Sequence, residues 1–181
     1  MPDIQIEIPE HLLTAAANIK LLLLDVDGVL TDGKLYYGNS GEELKAFNIQ
    51  DGLGIKLLQQ AGIQVGIITG RVSALLQRRA DELGISPVIQ GREDKLTALE
   101  ELLSSSTIKL NEIAFMGDDL PDLAVINRVG LGIPVANASS TLAAQAALQT
   151  NKSGGDGAVR EVAELLLHAQ GKLQNLLEPY Q

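Results

Sequence analysis

Cysteine and tryptophan are both missing from these 181 residues. Without cysteine there is no disulfide framework, no thiolate zinc site and no thiol nucleophile, and a reducing compartment suits such a chain. Aromatic residues make up only 3% of the total, two Phe and three Tyr. The core therefore has to be aliphatic, and a base-stacking platform has no material to be built from. Positive charge is also scarce: 14 Lys and Arg stand against 23 Asp and Glu, a formal net charge of −9. An acidic surface disfavours nucleic acid and anionic lipid, both of which need a basic footprint. No apolar run approaches the roughly 18 residues that a membrane-spanning helix requires. The start, Met1–Glu7, has neither a basic nor an apolar segment of the secretory kind. The expectation is a cytoplasmic protein with no nucleic-acid or membrane partner.

What is present is ordinary globular composition, with 45% hydrophobic and 20% charged residues. That length supports one domain over 1–181, with a core at about 19–170. Short apolar runs at Lys20–Leu24, Gln64–Ile68, Glu112–Met116 and Val129–Ile133 read as buried strands, and Pro87–Ile89 as an edge strand. Helical spacing fills the gaps at 52–61 (with Asp51 as N-cap), 72–83, 93–103, 138–147 and 158–170. The alternation predicts an α/β fold, a doubly wound, Rossmann-like parallel sheet. One stretch departs from it. Lys34–Tyr37 and Glu43–Phe47 flank a Gly-Asn-Ser-Gly turn and read as a β-hairpin inserted after the first strand, a flap at about 33–48. A two-stranded ribbon cannot bury both faces alone, so packing on another subunit is expected. The tail 171–181 shows no regular pattern.

The chemistry-bearing residues gather at the expected strand ends, where open α/β sheets bind ligands. Asp25-Val-Asp27-Gly28 follows the first strand. Two such carboxylates repel unless a cation lies between them, and a hard dication with oxygen ligands, Mg²⁺, fits. An Asp-rich loop that caps a helix is the plain alternative. Thr69-Gly70-Arg71 follows the second strand and suits an oxyanion, or else a Thr N-cap. Gly117-Asp118-Asp119-Leu-Pro-Asp122 follows the third, with Asp118 as a further metal ligand and Asp119 and Asp122 as helix caps or supports. Lys95 falls in the first turn of a helix, where a cation opposes the dipole, which an anion facing it would explain. A solvated surface lysine is the alternative.

Together, in this order, these residues resemble the four motifs of the haloacid dehalogenase superfamily of phosphotransferases. The resemblance implies an aspartyl-phosphate mechanism. Asp25 is then the nucleophile and Asp27 the general acid and base. Mg²⁺ is held by Asp25, Asp27 (through its backbone carbonyl) and Asp118, and Thr69 and Lys95 grip the phosphoryl oxygens. The room between motifs is too small for a cap domain, which resembles the capless subclass of homotetramers whose neighbours cover the site. Within it, several segments resemble the family of 3-deoxy-D-manno-octulosonate 8-phosphate phosphatases. These are Leu24–Gly33, Gly41–Asn48, Asp51-Gly52, Ile67–Arg71, Gly154–Glu161 and Ala169–Leu173. That family acts in lipopolysaccharide sugar synthesis. The resemblance further implies that Asn48, Ile49, Gln50, Asp51 and Gly52 line the substrate pocket beside Gly70. Lys56 joins them where relatives carry Arg. Arg71 and Arg79 bind the sugar-acid carboxylate, Arg79 in a neighbouring subunit's site, although Arg78 shares Arg71's helical face. The Gly-rich loop 153–157 shapes the site's edge. A nonulosonate 9-phosphate phosphatase, a phosphoacceptor signalling module and an inactive scaffold are the competing readings.

Overall fold

The computed structural model describes residues 8–40 and 43–180, without the side chain of Glu43. The Met1–Glu7 start, Gly41 of the expected turn, Glu42 and Gln181 lie outside that range. The elements run α1 (Glu10–Ala17), β1 (Leu21–Leu24), β2 (Tyr36–Tyr37), β3 (Glu43–Leu44), α2 (Ile49–Gln60), β4 (Gln64–Ile68), α3 (Ala74–Leu83) and β5 (Val88–Ile89). Then follow α4 (Lys95–Leu103), β6 (Ile113–Gly117), α5 (Leu123–Ile126), β7 (Leu131–Pro134), α6 (Ser140–Ala143), α7 (Ala158–Ala169) and α8 (Leu173–Leu177).

Five strands form one parallel sheet in the order β5-β4-β1-β6-β7. Chain order therefore reverses at β1, and the crevice for a ligand opens beside its carboxyl end. The four leucines of β1 show how the sheet is sealed. Leu22 and Leu24 enter the core cluster with α2, α3 and α7, while Leu21 and Leu23 enter the one with α4 and α5. Successive side chains point to opposite faces of a strand, so an unbroken apolar run is what a sheet covered on both sides requires. Each fully buried leucine stabilises the fold by about 1.5–3 kcal/mol. Among the described residues no cap domain interrupts the elements. β2 and β3 pair antiparallel as a separate ribbon, Tyr36 opposite Leu44.

Several elements differ from the sequence expectation. α1 lies before the expected core, and Leu12 and Ala16 are buried in it. It has eight residues, no side-chain cap and a run of three alanines, so only a short apolar stripe, Leu12 and Ala16, marks it. The tail is not patternless: α8 folds back, with Leu173 buried in the same core. Its five residues are too few to show a helical period. α6 has only four residues instead of the expected ten-residue span. α3 starts at Ala74, where Ser73 supplies the cap, not directly after Thr-Gly-Arg. α2 starts at Ile49, capped by the Asn48 side chain, which accepts from the Gln50 N–H at 2.7 Å. Asp51 is therefore in its first turn and is not its cap.

Candidate active site

The register brings the expected residues together. Leu24 pairs with Ile67 on one side and Met116 on the other. The residues just beyond, Asp25, Thr69 and Asp118, therefore emerge at nearly the same height. Between them lies a cavity of about 470 Å³ lined by Asp25, Asp27, Thr69, Gly70, Arg71, Lys95, Asp118, Asp119 and Asp122, with Glu93 and Pro121.

At its floor, carboxylate oxygens of Asp25, Asp118 and Asp122 all lie within 4.8 Å of one another. Lys95 is buried, against the solvated alternative, and its Nζ lies 2.8 Å from Asp25 Oδ1 and donates to Asp122 Oδ1 at 2.6 Å. Burial by itself disfavours the ammonium, but the two carboxylates outweigh it and raise its pKa above the ordinary lysine value. The acids respond in the opposite sense. Burial raises Asp25 to about 6, against the pull of Lys95 and with the push of Asp122. Burial, then the charges of Asp25 and Asp122, raise Asp118 to about 7. Three carboxylates and one ammonium leave two negative charges unanswered, which is a setting for a dication.

The roles within the acidic group differ. Asp122 Oδ1 takes Lys95, and Oδ2 accepts the backbone N–H groups of Asp118 at 3.0 Å and Asp119 at 3.3 Å. It is thus committed to holding the loop. Asp25 and Asp118 keep oxygens facing the cavity. Gly28 lets them approach: it has φ of 101°, and a Cβ there would fall 2.0 Å from Asp118 Oδ2. The Asp27 carboxylate stands apart from this group. Its Oδ1 is ion-paired with Lys45 and its Oδ2 lies 3.5 Å from Arg71 Nε. Both oxygens of the Asp27 side chain are thus turned to cations.

The Gly-rich loop earns its glycines by close approach to this loop. A Cβ on Gly154 would sit 1.6 Å from the Gly28 carbonyl oxygen, and one on Gly155 would sit 2.5 Å from Asp32 N. The Gly155 N–H donates to the Val29 carbonyl at 2.9 Å.

The expected substrate residues on α2 are not brought to the cavity within this chain. Asn48 caps α2 and its Nδ2 donates to the Gly155 carbonyl at 3.4 Å. Ile49 is 82% exposed and Gln50 is exposed beside Gly157. Asp51 is buried, its Oδ1 accepting the Arg160 N–H at 2.9 Å, so it serves the N-terminus of α7. Gly52 faces Arg79, whose Nη2 would lie 2.4 Å from a Cβ there. Lys56 reaches the other end of α3, with Nζ 3.9 Å from the Cβ position of Gly84, at the C-cap. Arg79 is turned inward, donating to the Asn48 carbonyl at 3.4 Å and lying over the Phe47 ring, whereas Arg78 is 80% exposed. Arg71 precedes α3 and so shares no helical face with Arg78, and neither Arg78 nor Arg79 lines this chain's own cavity. The sequence reading missed Lys45 and Glu93. Lys45 lies inside the motif Gly41–Asn48, but a ribbon does not announce which face it turns inward.

Comparison with known proteins agrees with this geometry. A haloacid dehalogenase-like hydrolase family model matches residues 88–162. Over 163 residues, 90% of this chain and 87% of the relative, the sequence is 51% identical to the 3-deoxy-D-manno-octulosonate 8-phosphate phosphatase of Salmonella typhi. The Moraxella catarrhalis phosphatase of the same name, solved with magnesium, phosphate and KDO, superposes with a TM-score of 0.93. It is 48% identical, covering 96% of this chain and 100% of that one. The cobalt-bound enzyme of Haemophilus influenzae superposes with a TM-score of 0.84 at 40% identity, covering 88% and 93%. The chain belongs to the 3-deoxy-D-manno-octulosonate 8-phosphate phosphatase family, within the haloacid dehalogenase-like hydrolases.

Proposed function

We propose that this protein is a Mg²⁺-dependent phosphatase that hydrolyses 3-deoxy-D-manno-octulosonate 8-phosphate to the free sugar acid and inorganic phosphate. The observation that carries it is the convergence of Asp25, Asp118, Asp122 and Lys95 at the floor of one cavity, in a chain half identical to phosphatases of that name.

The donor set fits the metal. It is all oxygen, it is crowded enough to need a cation, and Gly28 leaves Asp118 the space to face Asp25. Asp25, Asp118 and the Asp27 main-chain carbonyl are the groups to hold Mg²⁺, which when bound neutralises charge on the transferring phosphoryl group. Asp25 attacks phosphorus in line, forming an aspartyl-phosphate as the bond to the sugar oxygen breaks. Asp27 gives the departing alcohol its proton, then takes one from the water that cleaves the intermediate. Lys95, held between Asp25 and Asp122, and Thr69 stabilise the equatorial oxygens. Asp119 and Asp122 support the loop. Arg71, half exposed at the mouth, is placed for the substrate carboxylate.

The reading extends to a homotetramer in the cytoplasm, serving lipopolysaccharide sugar synthesis. The ribbon supports the assembly, since Tyr37 and Leu44 are each 67% exposed on it. In such an assembly neighbouring subunits cover the site, and Asn48, Ile49, Gln50, Lys56 and Arg79 meet substrate only across the interface. The test is phosphate release from a panel of phosphorylated keto-sugar acids, with and without a chelator. Mg²⁺-dependent preference for the eight-carbon substrate is expected; faster hydrolysis of a nonulosonate 9-phosphate overturns the choice of sugar.

A further inference from the structure

We infer that Lys45 is a positioning residue for Asp27, and that the β2–β3 ribbon delivers it to the site. This rests on the reading of Asp27 as general acid and base. Lys45 follows β3 by one residue, yet its side chain is only 2% exposed and is ion-paired with Asp27 Oδ1. Burying an ammonium is costly unless a carboxylate faces it, so this pair has one favoured geometry. On the far side, Lys45 lines a second cavity of about 250 Å³ with Phe47, Leu75, Arg79 and Glu82. Its partner Asp27 lines the catalytic cavity, so the ion pair links the two. Asp27 Oδ2 faces Arg71, which is 43% exposed and so a weak hold. Lys45 is the buried one of the two. It fixes one carboxylate oxygen and leaves the other beside the more exposed Arg71, the side that the proposed function gives to the substrate. A proton donor that swings out of line loses the advantage of proximity. Ribbon and acid thus act as one device: the register of β2 on β3, Tyr37 opposite Glu43, sets where the ammonium falls.

The consequence is selective for the leaving group. An alkoxide needs a proton as it leaves, whereas 4-nitrophenolate leaves without one. Phosphate release from the sugar phosphate and from 4-nitrophenyl phosphate is compared at saturating Mg²⁺ and one pH for Lys45→Met, Lys45→Arg and Asp27→Asn. For Lys45→Met, kcat/KM on the sugar phosphate, which reports the steps up to departure of the leaving group and not the hydrolysis common to both esters, is expected to fall about 10–100-fold more than on the aryl ester, within the worth of a general acid. Its KM should move by less than about threefold. Lys45→Arg should recover most of the ratio, and Asp27→Asn should show the same selectivity, enlarged. Equal losses on both esters, or a loss confined to KM, overturn the role of Lys45. Selectivity in Asp27→Asn without it in Lys45→Met overturns Lys45 alone. No selectivity in Asp27→Asn removes the acid–base reading and the Lys45 inference with it. If Lys45→Met does not fold, Lys45→Gln is judged by the same ratio.

Discussion

Asp25 and Asp51 are both buried aspartates, 6% and 1% exposed, and burial raises the pKa of each. Their surroundings separate them. Asp51 meets the N-terminus of α7: Oδ1 accepts the Arg160 N–H, and Oδ2 makes no hydrogen bond, so desolvation prevails. It does not line the catalytic cavity. Asp25 meets a lysine, a second acid and open space that a ligand can enter. A buried charge by itself therefore does not mark a catalytic group. Unspent ligand capacity facing a cavity does, whereas a carboxylate answered by a helix end is part of the scaffold.

Exchanging each acid for a neutral residue breaks the pair apart. Asp25→Asn is expected to lower kcat on the order of 10⁴-fold or more, as loss of a covalent nucleophile does, with an unchanged or higher melting temperature. Asp51→Ala should do the reverse, costing about 1–3 kcal/mol of stability in denaturant titration while kcat stays within about tenfold. An Asp51→Ala protein that keeps its stability and loses turnover would place Asp51 in the chemistry after all.

Next in size is Gly28→Ala, which sets a methyl group into the space of the Asp118 carboxylate at a positive φ. Mg²⁺ affinity, read from activity against metal concentration, should weaken about 10–100-fold. Unchanged affinity would show that Asp118 does not ligate from this position.

The smallest effect concerns pH. In the metal-free fold Asp25 and Asp118 titrate near about 6 and about 7, above their ordinary value of 3.8. The folded state then binds more protons than the unfolded state between these limits. These two groups therefore make the fold progressively less stable as pH rises through that window. Mg²⁺ competes with those protons, so its stabilising shift in melting temperature should be larger near pH 8 than near pH 5.5. Asp51 has no metal to answer it, so Asp51→Asn should leave that difference intact, and a shift independent of pH would separate the metal from Asp25 and Asp118.

The strands were legible because their runs are short, aliphatic and unbroken, and such a pattern has few other uses in a chain with no membrane-length segment. The cluster was legible because three of its four motifs directly follow strands and the fourth opens a helix. The short elements were not. α1 and α8 owe their order to contacts of Leu12, Ala16 and Leu173 with the core, which no local period reports. Lys56 and Asp51 carry charges compatible with a pocket, and only the direction of α2 sends one to Gly84 and the other to α7.

Local sequence decided which residue types stand at which strand ends, because an apolar run must end where the sheet meets water and the next residues carry the chemistry. It also decided the α/β class, through the alternation of two periods. Tertiary structure decided which of those carboxylates share a cavity, which acid is absorbed by a helix end, and that a lysine from the ribbon reaches Asp27. Those outcomes depend on strand register and on packing between segments far apart in the chain, and neither is encoded in any single window of residues.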